Sequence, residues 1–136
     1  TMDNNSKIRK IIKTTLNEWL NEQQNIKSSD EIIDIVYDIH RNPSDFEDDD
    51  DFSGLATTIR KYDNYKLEEI DISDIGKHHI KFDHKRVEKI MSEIQQNPNY
   101  PPIVYDKDID LIIDGVHRFE ALKLLGVKKI KTWVGF

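Results

Sequence analysis

Residues 111–126 read LIIDGVHRFEALKLLG, and this stretch decides the fold. Leu111, Ile112 and Ile113 predict a short buried strand. Gly115 sits where that strand must reverse into a helix, which the pattern places over Val116–Leu125. Gly126 suits a left-handed helix cap. Glycine permits unusual backbone angles at the turn and lets another group approach closely. The first N–H groups of the following helix have no partner within it, and the helix dipole adds partial positive charge. Together these features form an anion site. His117 and Arg118 add side-chain donors there, and a guanidinium fork matches two phosphate oxygens. Asp114 stands at the mouth with three readings open: ligand of a Mg²⁺ accompanying a phosphate, base on a hydroxyl, or helix N-cap. Arg118 likewise reads either as a phosphate contact or as half of a structural ion pair, with Glu120 or another acid.

Working outward, Ile103-Val104-Tyr105 is a strand that Lys107–Asp110 turns back into 111–113. Before it lies a helix over Lys85–Gln96, capped by Asp83, with Val87, Ile90, Met91 and Ile94 on its buried face. Lys66–Ile72 and Lys129–Val134 read as flanking strands, and Ile75–Phe82 as irregular. The order strand, helix, hairpin, helix, strand predicts an α+β fold. Upstream, Ile8, Ile11, Ile12, Leu16, Trp19 and Leu20 fall at helical spacing. A second helix carries Ile32, Ile33, Val36 and Ile39, with Ser28, Ser29 or Asp30 as cap and Asn42-Pro43 as its end. The pair predicts a helical hairpin. PSDFEDDDDFSG at 43–54 reads as an exposed acidic loop, with a short helix over Leu55–Tyr62. The expected division is a helical extension with its acidic loop over 1–65 and the α+β domain over 66–136.

The 136-residue length fits one domain with a real core. The absence of cysteine excludes a disulfide scaffold, a thiolate zinc site and a cysteine nucleophile. No apolar run is long enough to cross a bilayer, and the first ten residues lack a secretion-signal core, so the expected location is cytoplasmic. The formal charge of −6 is uneven: Asp30–Asp51 carries −9 and the remainder about +3. Such a chain repels the DNA backbone as a whole while permitting a local anion site.

The blocks LEEIDISDI, RVEKIMSEIQ, PPIVY, LIIDGVHRFEALKLLG and KIKTWV, in this order and spacing over about Leu67–Val134, resemble the ParB/sulfiredoxin superfamily. The resemblance implies a mixed sheet with helices that binds a nucleotide, with Gly115, Val116, His117 and Arg118 on its phosphates. Chromosome-partitioning ParB proteins read like G-E-R-R-x-R-A here and bind CTP; Gly115, Arg118 and Ala121 match, whereas Val116, His117 and Glu120 depart. Sulfiredoxins read like G-G-C-H-R, and Val116 replaces the reactive cysteine. The ADP-dependent free-serine kinases read like D-G-H-[TH]-R, which Asp114, Gly115, His117 and Arg118 fit, with Val116 in place of the first histidine. That likeness implies ATP or ADP with Mg²⁺, Asp114 as the catalytic residue near the phosphoryl acceptor, and a second glutamate for which Glu68 and Glu69 are candidates. It also turns the basic loop carrying His78, His79, Lys81 and His84 toward the nucleotide.

Three functions follow as expectations. The first is a nucleotide-binding phosphotransferase or NTPase, working by positioning and charge stabilisation. The second is a ParB-like DNA binder or nuclease, whose best support is the basic stretch Lys123–Lys131. The third is a non-catalytic interaction module of phage or mobile-element type, using the N-terminal helices or the acidic loop on a protein partner. An EF-hand reading of 49–60 fails, because Arg60 stands where a bidentate glutamate is needed. A zinc site in the histidine loop lacks ligand spacing. Trp19 and Trp133 read as core or interface anchors.

Overall fold

Strand β3 (Ile103–Asp106) is buried at every position, which marks it as interior to a sheet covered on both faces. The computed structural model describes residues 25–40, 49–76 and 81–136. Around β3 lie β1 (Ile26–Ser28), β2 (Asn64–Asp71), β4 (Leu111–Asp114) and β5 (Lys129–Gly135). Their order across the sheet is β1-β2-β5-β3-β4. All neighbours are antiparallel except β3 and β5, which run parallel with Val104 opposite Trp133. The β3–β4 register shifts between Val104 and Tyr105.

Side chains alternate across the sheet, so each face has its own core. On one face, helices α1 (Ser29–Ile39) and α2 (Asp49–Ile59) pack Ile32, Ile33, Val36, Ala56 and Ile59 against Tyr65, Val104 and Trp133. On the other, α4 (Val116–Leu124) packs Phe119 and Leu122 against Ile75, Ile103, Tyr105, Ile112 and Ile130. Helix α3 (His84–Gln96) lies against α4 and buries Val87, while Ile90, Met91 and Ile94 are half-buried.

Local chemistry explains the element boundaries. Ser28 starts α1 through a reciprocal capping box: its hydroxyl accepts from Glu31 N–H at 3.2 Å, and Glu31 Oε1 accepts from Ser28 N–H at 3.1 Å. The Ser28 N–H bond, with a second from the Ser28 hydroxyl to Glu31 Oε1 at 3.2 Å, holds the Glu31 carboxyl below its usual range. Asp83 caps α3 as expected, accepting from Lys85 N–H at 2.9 Å. Gly126, at φ 78°, follows α4.

The mixed sheet with helices predicted from sequence is the observed fold. Of the predicted hairpin, the second helix is α1; the first, over 8–20, lies outside the described residues. Two boundaries are corrected. Helix α1 ends at Ile39, with the His40 N–H bonded to Val36 O at 3.1 Å, rather than running to Asn42. The acidic stretch 43–54, expected as a loop, is helical from Asp49 onward. A helix N-terminus favours nearby negative charge, so consecutive aspartates are compatible with a first turn. Residues 43–48 lie outside the described residues.

Candidate functional site

Gly115 adopts φ 101°, ψ 24°, a left-handed conformation that lets β4 break directly into α4. A Cβ there would lie 2.6 Å from Ile103 Cγ2 and 2.8 Å from an Arg118 guanidinium nitrogen. The glycine is therefore required by angle and by space, and its close neighbours belong to the protein itself. Among the described residues no side chain caps α4, so its first N–H groups keep their donor capacity.

Asp114 is one residue short of the capping position and does not act as N-cap. It is buried, and both carboxylate oxygens are engaged. Oδ2 accepts from Arg118 at 3.1 Å, and Oδ1 lies 2.8 Å from His40 Nε2. Burial raises its pKa, but the His40 hydrogen bond and the charges of Arg118 and His40 outweigh it and hold the carboxyl below its usual range. Each Asp114 oxygen thus already has a protein partner, and a Mg²⁺ there would have to share the carboxylate with His40 and Arg118. Among the described residues, no group of three or more His, Asp or Glu side chains is placed to hold a metal.

Arg118 takes the structural option. Its guanidinium is buried, donating to Asp114 and, at 3.2 Å, to Pro102 O. Its Nε–H is buried with no acceptor among the described residues. His117 Nε2 accepts the Asp83 backbone N–H at 3.1 Å, which joins the start of α4 to the start of α3. Burial, followed by the charge of Arg86, lowers the His117 pKa, opposed by Asp83. The ring is therefore neutral at pH 7, with its proton on Nδ1.

These residues edge a cleft of about 720 Å³, within the range of small-molecule sites. Helix α3 forms one wall with Arg86, Lys89, Ile90, Glu93 and Ile94, spaced three or four residues apart as one helix face requires. Lys81 stands before it, and Asn97, Asn99, Tyr100 and Pro101 continue the wall. Ile39, His40, Leu55, Ile113 and residues 114–118 complete its lining. Among the described residues lining the cleft, the basic side chains outside the Asp114–Arg118 pair are Lys81, Arg86 and Lys89, and the acidic one is Glu93. Basic groups outnumber acidic ones there, which suits an anion.

The structure brings Asp114, Gly115, Val116, His117, Arg118 and Lys81 to one cleft. His84 is exposed and packs edge-on against Phe82, outside the cleft lining. Glu69 lies exposed on β2 opposite Lys131, and Glu68 opposite Thr132; neither lines the cleft. His78 and His79 lie outside the described residues. Sequence reasoning missed His40, which no motif marks. It also missed Lys89, although the spacing of Arg86, Lys89, Ile90, Glu93 and Ile94 carried that signal.

With this geometry in place, comparison with solved structures finds a likeness to a Pnob8-like ParB-N domain. The match has 23% sequence identity, a TM-score of 0.41, and covers 52% of this chain and 29% of that one. The neighbour is a ParB-N domain. No protein-family model matches the chain, and no curated protein is similar to it at a significant level. Among the described residues no helix is long and apolar enough to cross a membrane.

Proposed function

We propose that the cleft binds a phosphate-bearing ligand of the nucleotide class. The observation that carries this reading is the uncapped start of α4, opening onto a cleft whose wall supplies Lys81, Arg86 and Lys89. Free N–H groups at a helix start and nearby cations both favour a phosphate. Gly115 keeps the turn in shape, and His117, docked on Asp83, keeps the starts of α3 and α4 side by side. Asp114 and Arg118 act as positioning residues in this reading, because each already neutralises the other. The reading is one of binding; it assigns no phosphoryl-transfer step.

The test is titration of the chain with ATP, ADP, CTP and GTP, with and without Mg²⁺, followed by thermal unfolding. A ligand at about 100 times its Kd adds about 2.7 kcal/mol. At least one nucleotide is expected to raise the midpoint, and Lys89→Glu with Arg86→Glu is expected to remove the rise. Unchanged midpoints with all four nucleotides would overturn the reading.

A further inference from the structure

The cleft changes character along its length. Arg86 and Lys89 lie in the first half of α3, and Ile90 and Ile94 follow on the same wall. At a rise of about 1.5 Å per residue, Ile94 sits about 12 Å beyond Arg86. The same cleft is lined by Ile39, the last residue of α1, and Leu55 of α2, helices that pack on the other face of the sheet. All four apolar side chains are half-buried, so each keeps surface accessible from the cleft. The end of α1 is also tied to the end of β4, because His40, directly after α1, lies 2.8 Å from Asp114 Oδ1. An inorganic anion would occupy only the cationic end and leave the apolar walls wet. A ligand with an anionic head and an apolar, flat end would cover both.

Resting on the phosphate-binding reading above, we infer that α1 and α2 form a specificity wall. The nucleoside half of the ligand packs on Ile39 and Leu55 together with Ile90 and Ile94. Its phosphates lie toward Arg86, Lys89 and the start of α4. The helices before β2 thus belong to the binding site as well as to the core, and Ile39 and Leu55 select for the organic part of the ligand.

Calorimetric titration of the full chain with ATP, ADP, CTP, GTP and tripolyphosphate tests this. Tripolyphosphate carries the anionic part alone. At least one nucleotide is expected to bind about tenfold or more tighter than tripolyphosphate, the scale of one buried apolar contact surface. The double variant Ile39→Ala, Leu55→Ala is expected to reduce that preference about tenfold, and Ile90→Ala on the α3 wall to reduce it as well. Leu124→Ala, on an exposed side chain away from the cleft, is expected to leave the preference intact. Circular dichroism and the melting midpoint confirm that each variant is folded. Equal affinity for nucleotides and tripolyphosphate would overturn this inference while leaving the phosphate reading in place. So would a preference that survives in both wall variants. Failure of all five ligands to bind would overturn both.

Discussion

Asp106 and Asp114 end the two strands of one antiparallel hairpin, so they lie at opposite ends of the sheet. Both are buried carboxylates with depressed pKa values, yet their surroundings differ. Asp106 accepts from Lys61 Nζ at 2.7 Å and from the Tyr62 hydroxyl at 2.6 Å. That hydroxyl also lies 2.6 Å from Asp108, so its single proton is shared, and burial with these carboxylates pushes the phenol above its usual range. The Tyr62 ring covers Gly135 so closely that a Cβ there would meet it at 2.2 Å. Lys61 is 43% exposed, whereas Arg118, the partner of Asp114, is 9% exposed. One end is an ion pair with its cation at the surface. The other has both partners buried beside a cleft. A stranded charge can relax into water at the first end and has no such escape at the second.

The largest effect should follow Asp114→Ala. It strands the Arg118 guanidinium, and the expected loss is about 3–5 kcal/mol by urea unfolding. Because Arg118 lines the cleft, inorganic phosphate should restore part of that loss in the variant and stabilise the parent chain less. Absence of any rescue would place Arg118 out of reach of the cleft's anion. Asp106→Ala should cost less, about 1–3 kcal/mol, since Lys61 can turn outward. A loss matching that of Asp114→Ala would break the comparison. Tyr62→Phe should cost about 1 kcal/mol, the scale of one hydrogen bond, and a double-mutant cycle with Asp106→Asn should show the two coupled.

The smallest effect separates the ends by pH. Both carboxylates have native pKa values below their unfolded ones, so their stabilisation is present above about pH 4 and is lost as pH falls through the depressed values. Only the cleft end also holds His117, whose pKa is lowered from 6.5. The unfolded chain binds this proton first, so the contribution is full above pH 6.5 and declines as pH falls below it. His117→Gln should flatten stability between pH 7 and 5. An unchanged slope in that variant would remove His117 from the linkage.

The legible part of this fold was its periodic and punctuated part. Strand runs at 103–105 and 111–113, the Asp83 cap and the Gly115 turn all follow from local rules, and each lies within a residue or two of its expected place. The uncapped helix start after Gly115 was legible too, because the glycine and the helix are neighbours in sequence. Pairings between distant residues were not legible. His40 meets Asp114 across 74 positions, and nothing in either neighbourhood announces the contact. The role of Arg118 turned on the same point: its partner four residues back and Pro102 O sixteen back claim a guanidinium that the motif alone would aim at a ligand. Asp49–Asp51 read as loop because charge runs usually do, whereas a helix start tolerates them.

The place of β5 in the sheet bears on how the molecule assembles. It is the last described strand to be synthesised, yet it lies between β2 and β3. Without it, β1–β2 and β3–β4 are two separate antiparallel pairs, the first closed across two helices and the second a hairpin. The β2–β5 register joins Asp71 to Lys129 and Tyr65 to Gly135, contacts of high sequence separation that raise the entropic cost of closure. The five-stranded sheet is therefore complete only once β5 has paired on both of its sides.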